Sequence, residues 1–105
     1  LKQLQNATLY FNLGNYMGNN YESCVITAKN AIKDYPYSKY KEQLEFLILK
    51  ARFNEASESV DEKKEERFNT VIDEYYSFIN DYPDSQNRKE ADNIFKIASK
   101  HVNDK

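Results

Sequence analysis

The segment DYPYS at residues 34–38 returns as DYPDS at residues 81–85, and the two phrases hold both prolines of a 105-residue chain. Proline disfavours helical geometry in the residue before it, so each phrase reads as the end of a helix. The serine two residues later can cap the helix that follows. From 34 to 81 the step is 47 residues, and sliding the chain by that step pairs much more than the phrases. Tyr21 meets Phe68, Cys24 meets Val71, Ala28 meets Tyr75, Ala31 meets Phe78, Lys41 meets Arg88 and Ala51 meets Ala98. The unit that repeats is a helix, the phrase and the start of another helix. Repetition on this scale points to stacked helix pairs, since one short pair cannot bury its apolar face alone.

Working outward from the phrases gives five helices. The first runs from about Leu1 to Met17 and stops at the turn-forming Gly18-Asn19-Asn20. The second spans Tyr21 to about Tyr35, with Tyr21, Cys24, Val25, Ala28 and Ile32 three and four apart on one face. Ser38 heads the third, whose apolar residues fall on two faces. Leu44, Leu47, Ile48 and Ala51 form one, and Phe46, Leu49 and Phe53 form the other. A helix apolar on two sides is packed between neighbours, so the third is the central element. The polar stretch Ser57–Glu66 reads as a loop with solvated helix ends. A fourth helix covers about Lys64 to Asp81, and a fifth, headed by Ser85, carries Ala91, Ile94, Phe95, Ala98 and Val102 on one face. The expected architecture is all-α, an α-solenoid of about five antiparallel helices in one domain. Residues 1–36 form a first helix pair, 37–83 a second and longer pair, and 84–105 a final helix.

Composition agrees. Nine tyrosines and six phenylalanines supply core volume, while two glycines and two prolines are too few for a turn-dense β-sandwich. Fifteen basic and seventeen acidic residues give a formal charge of −2, which argues against a nucleic-acid binder with its basic stripe. The single cysteine excludes an intrachain disulfide and a cysteine-rich metal site. No run of about 18 apolar residues marks a membrane span. The chain starts at Leu1, and it reads as a fragment of a longer protein.

The stretch Asn19–Cys24 (NNYESC), followed by Ala31 and Pro36, resembles the tetratricopeptide repeat, a helix pair of roughly 34 residues. In the second unit Val71 and Phe78 stand where that pattern prefers small residues. A narrower resemblance covers nearly the whole chain. The order NLGNY, YESCVITAKNAIKDYPYSKYKEQLEFLILKARF, a charged stretch and ERFNTVIDEYYSFINDYPDSQNRKEA is similar to the C-terminal half of the BamD-like lipoproteins of the Bacteroidetes. That resemblance implies a non-catalytic scaffold of the outer-membrane β-barrel assembly machinery. Its partners would be a BamA-like barrel-forming subunit and other assembly components. It would sit on the periplasmic face of the outer membrane, on a lipid anchor that this sequence does not contain. The alternative is another periplasmic tetratricopeptide adaptor in a cell-envelope complex.

Residues for catalysis are few. His101 is the only histidine and falls in the last helical turn, where it reads as solvated. Cys24 falls at a packing position and reads as a small core residue. No glycine-rich phosphate loop or metal-ligand spacing occurs, so neither an enzyme nor a cofactor is expected. Solenoids bind along an extended face. In the repeat register the groove positions are Leu9, Leu13, Tyr16 and Met17 on the first helix, Glu42, Phe46, Leu49, Lys50 and Phe53 on the third, and Lys89, Asn93, Lys96 and Ile97 on the fifth. The expectation is an apolar groove centred on Phe46, Leu49 and Phe53 that buries a partner segment. The competing expectation is that long neighbouring helices, or N-terminal repeats missing from this sequence, cover these three. Arg52, Arg67 and Arg88, the only arginines, are candidates for ion pairs with a partner.

Overall fold

The structure is a computed structural model that describes residues 1–103, without the side chain of Asn103. The described residues form five α-helices and no strand: α1 Lys2–Leu13, α2 Asn20–Asp34, α3 Lys41–Ser57, α4 Asp61–Asp81 and α5 Arg88–Asn103. Each helix packs against the next in sequence, and α3 also touches α1 and α5.

The helix ends explain the spacing. α1 stops at Leu13, short of the expected Met17, because Gly14 takes φ +55° and its N–H closes on the Tyr10 carbonyl at 3.1 Å. Glycine is favoured there for two reasons: a positive φ suits it, and a Cβ would lie 2.8 Å from the Tyr21 hydroxyl oxygen. Asn19 caps α2 by accepting from the Glu22 N–H at 3.2 Å. The two DYP joints then coincide in backbone. Tyr35 closes α2 at φ −132°, ψ 65°, and Tyr82 closes α4 at φ −136°, ψ 66°. Their N–H groups donate to Ala31 and Phe78 at 2.9 and 2.8 Å.

Ser38 and Ser85 do not head their helices. Each hydroxyl accepts from the N–H two residues on, Tyr40 and Asn87, at 3.0 Å, and so builds the turn that leads to a helix starting at Lys41 or Arg88. The charged stretch also differs from expectation. Only Glu58-Ser59-Val60 connects α3 to α4, and α4 begins at Asp61. Glutamate and lysine are good helix formers, and Asp61 and Glu62 sit favourably at the positive end of the helix dipole.

Two cores flank α3. Leu44, Leu47, Ile48 and Ala51 pack with Ala7, Tyr21, Cys24, Val25, Ala28 and Ala31 of α1 and α2. Phe46, Leu49 and Ala56 pack with Phe68, Val71, Tyr75 and Phe78 of α4 and Ala91, Ile94 and Ala98 of α5. The two-faced pattern of α3 is therefore the pattern of a helix shared by two cores.

Candidate functional site

The odd-numbered helices line one side of the molecule, and between them opens a cavity of about 420 Å³. α1 contributes Leu4, Thr8, Phe11 and Asn12, and α3 contributes Gln43, Phe46, Leu47 and Lys50. Gln86 and Asn87 of the second joint and Glu90 of α5 close it. Lys50 is its centre. The ammonium lies 5.3 Å from the Phe11 ring centroid and 5.0 Å from that of Phe46, so one half-buried cation joins α1 to α3 over two aromatic faces. Half of the remaining wall is side-chain amide: Asn12, Gln43, Gln86 and Asn87. Amides both donate and accept, so this wall can pair with the backbone of a polypeptide laid across it. Lys50 and Glu90 can each meet an opposite charge.

The residues expected in the groove separate into four groups. Lys50 lines the cavity. Phe46 is 6% exposed and contributes one edge of it, but its ring packs on Phe78 at 5.4 Å, and Leu49 is fully buried. Phe53 packs edge-on against Phe68 at 6.2 Å beside the same core. The second apolar face of α3 is thus covered by α4 and α5, as the competing expectation has it. Leu9, Leu13, Tyr16 and Met17 are exposed, Met17 most of all at 89%. Neither Leu9 nor Leu13 lines the cavity, and Leu9 sits in a separate cleft with Asn6, Tyr10 and Thr27. Asn93 is exposed and lines a separate polar cleft of α5 with Lys89, Asp92 and Lys96.

The three arginines have partners inside the chain. Arg52 donates to Glu22 at 2.6 Å and to Glu55 at 3.2 Å. Arg67 donates to the Ser59 hydroxyl at 2.6 Å. Arg88 donates to Asp92 at 3.0 Å and to the Pro83 carbonyl at 2.8 Å. These contacts tie helix ends together. Around Arg52 the polar cluster continues: Asn19 donates to Glu55 at 2.8 Å, and the Tyr21 hydroxyl donates to Glu58 at 2.8 Å. Burial, then the Glu58 carboxylate, pushes the Tyr21 hydroxyl above its ordinary range.

At the second joint Tyr82 meets Glu45 of α3. Burial raises both, and the neighbouring Asp81 raises Glu45 further although the Tyr82 hydroxyl opposes it. Cys24 is buried, which pushes its thiol up to about 11. His101 is exposed, yet its ring stacks on Phe68 with centroids 4.1 Å apart. Among the described residues no group of three or more His, Cys, Asp or Glu side chains is placed to hold a metal ion. No described helix is long and apolar enough to cross a membrane.

Besides Leu4 and Phe11, the cavity residues that sequence reasoning passed over are Thr8, Asn12, Gln43, Gln86, Asn87 and Glu90. Each is polar and reads locally as one more position on a solvated face. Comparison with known proteins adds no name to the site, since no family model and no curated protein matches the chain.

Proposed function

We propose that this chain is a non-catalytic scaffold, a tetratricopeptide-like solenoid that binds a polypeptide segment of a partner protein in the groove between α1, α3 and α5. The observation that carries the reading is Lys50 poised over Phe11 and Phe46 in a wall of side-chain amides. The recurrence of one joint geometry at Tyr35 and Tyr82 supports the solenoid. The sequence resemblance set out above supports the setting: outer-membrane β-barrel assembly at the periplasmic face, with a BamA-like barrel-forming subunit as partner and a lipid anchor on the full-length protein.

A photo-crosslinking residue at Gln43, inside the cavity, tests both parts of the proposal when expressed in the native cell. Capture of the barrel-forming subunit, weakened by Lys50→Glu, is the expected result. Capture of a different envelope protein would move the assignment to the alternative adaptor. Crosslinking only from positions on the α2 and α4 side would sink the groove.

A further inference from the structure

The groove cavity has a neighbour on α5. A cleft of about 600 Å³ is lined there by Lys89, Asp92, Asn93 and Lys96, and Gln86, Asn87 and Glu90 line both this cleft and the cavity around Lys50. The two spaces therefore adjoin at the second joint and the start of α5.

Most charges along this track are open. Asp92 is taken by the Tyr75 hydroxyl at 2.6 Å and by Arg88 at 3.0 Å. Lys50, Lys89, Glu90 and Lys96 make no ion pair among the described residues. Lys50 is half-buried, and the other three are exposed. Three cations thus share the track with one unpaired carboxylate, in a chain whose formal charge is −2.

The α5 face is polar by composition, not for want of a covering helix. One step of 47 residues carries Phe46, Leu49 and Phe53 of α3 to Asn93, Lys96 and Lys100 of α5. The α3 residues pack with α4 and α5. An ammonium group cannot be buried in that way without a charged partner. This face is suited to water or to a ligand of opposite charge.

We propose that the groove extends over the second joint on to α5, and that its occupant is an acidic, extended segment of a partner protein that brings carboxylates to Lys50, Lys89 and Lys96. The proposal rests on the groove reading above and specifies the chemistry of what fills it. Lys89 and Lys96 stand seven residues apart, about 10 Å along a helix. An extended chain covers that distance in about three residues. Two acidic residues three positions apart therefore match the α5 lysines. The amides of Gln43, Gln86 and Asn87 pair with peptide backbone between the charges. Glu90, on the shared wall, repels a ligand that is anionic at every step, so a peptide suits the track better than a nucleic acid.

The probe is a fluorescent peptide of about twelve residues, roughly 40 Å when extended. It carries glutamate at every third position among serine, threonine and asparagine, and its C-terminus is amidated so that only side chains supply carboxylates. It is titrated into the intact chain and followed by anisotropy and by amide chemical shifts. Binding that weakens with salt, with shifts at Gln43, Lys50, Asn93 and Lys96 together, is expected. Lys89→Glu/Lys96→Glu should weaken it at least about tenfold, as should glutamine in place of every peptide glutamate. Glu90→Gln should strengthen it. Lys89 and Lys96 are exposed, so unchanged far-UV circular dichroism certifies the double variant as folded. Shifts confined to Gln43 and Lys50, indifferent to the α5 reversal, would overturn the extension and leave the groove standing. Shifts confined to α5 would overturn the continuous track. No binding at about 1 mM peptide would overturn the acidic occupant, while the groove itself stands or falls by the Gln43 crosslink. Equal or tighter binding of a single-stranded oligonucleotide would overturn the choice of a peptide.

Discussion

Arg52 reaches across from α3 to Glu22 in the first turn of α2, with N–O contact at 2.6 Å, while the same nitrogen holds Glu55 at 3.2 Å. Glu55 is only 8% exposed, the one charged residue in the buried set of described residues, and Asn19 is its other side-chain partner. The contact therefore holds the entry of α2 and a buried carboxylate at once.

Removing that guanidinium should leave a buried acid half-satisfied. Arg52→Ala is expected to cost about 1–3 kcal/mol, the penalty of an unpaired buried polar group. Arg52→Ala with Glu55→Leu should recover most of it, because no charge then remains to be buried. Urea unfolding of the two variants measures the difference.

Phe46 touches the groove but belongs mainly to the core of α3, α4 and α5. Phe46→Ala should destabilise by about 3–5 kcal/mol, the usual cost of emptying a buried aromatic site. Phe53, partly exposed, should cost less. A loss of partner binding in Phe46→Ser would thus be a folding effect. Lys50→Glu should alter binding with helix content intact, and circular dichroism beside a binding assay separates the two.

Gly14→Ala should destabilise α1. A methyl group would stand 2.8 Å from the Tyr21 oxygen at φ +55°, so that ring and its hydrogen bond to Glu58 must shift. A loss of roughly 1–3 kcal/mol is expected from a non-glycine residue at such a φ. Thermal unfolding checks it, and the Tyr21 hydroxyl should titrate nearer its ordinary value in the variant.

Glu45 and Asp92 should titrate on opposite sides of the ordinary carboxyl range. Burial, aided by Asp81, raises Glu45. A carboxyl raised in the fold binds its proton more tightly than in the unfolded chain. Its ionisation therefore lowers stability as pH rises from the unfolded value, about 4.3, through the higher folded one. Glu45→Gln is expected to gain on the parent between those values and to match it below them. Asp92 is lowered by hydrogen bonds from Tyr75 and Arg88. Its contribution is present above the unfolded value and fades as pH falls through the folded one. Tyr75→Phe should bring its midpoint back up, read by carbon-detected NMR of the carboxyl carbons.

Much of the fold was legible because it rests on short-range rules. Proline ends a helix wherever it falls, and the three-and-four spacing of Leu44, Leu47, Ile48 and Ala51 marks a face before any partner is known. The two misread elements also have local causes. Gly14 ended α1 through a positive φ that sequence alone does not announce, and the charged run at 57–66 is good helix material once its first turn has acids at the dipole.

The sequence by itself determined five helices, the 47-residue recurrence and a central helix apolar on both sides. Only the tertiary structure decided what covers each side. A side chain's periodicity records that it is buried, not against what, because the partner lies dozens of residues away and is chosen by how the helices stack. That stacking placed Phe46 and Leu49 against α4 and α5, paired the three arginines within the chain, and brought Asn12, Gln43 and Asn87 to one cavity with Lys50. It also covered Tyr82 while leaving Tyr35 open, although five-residue phrases that share four residues surround both.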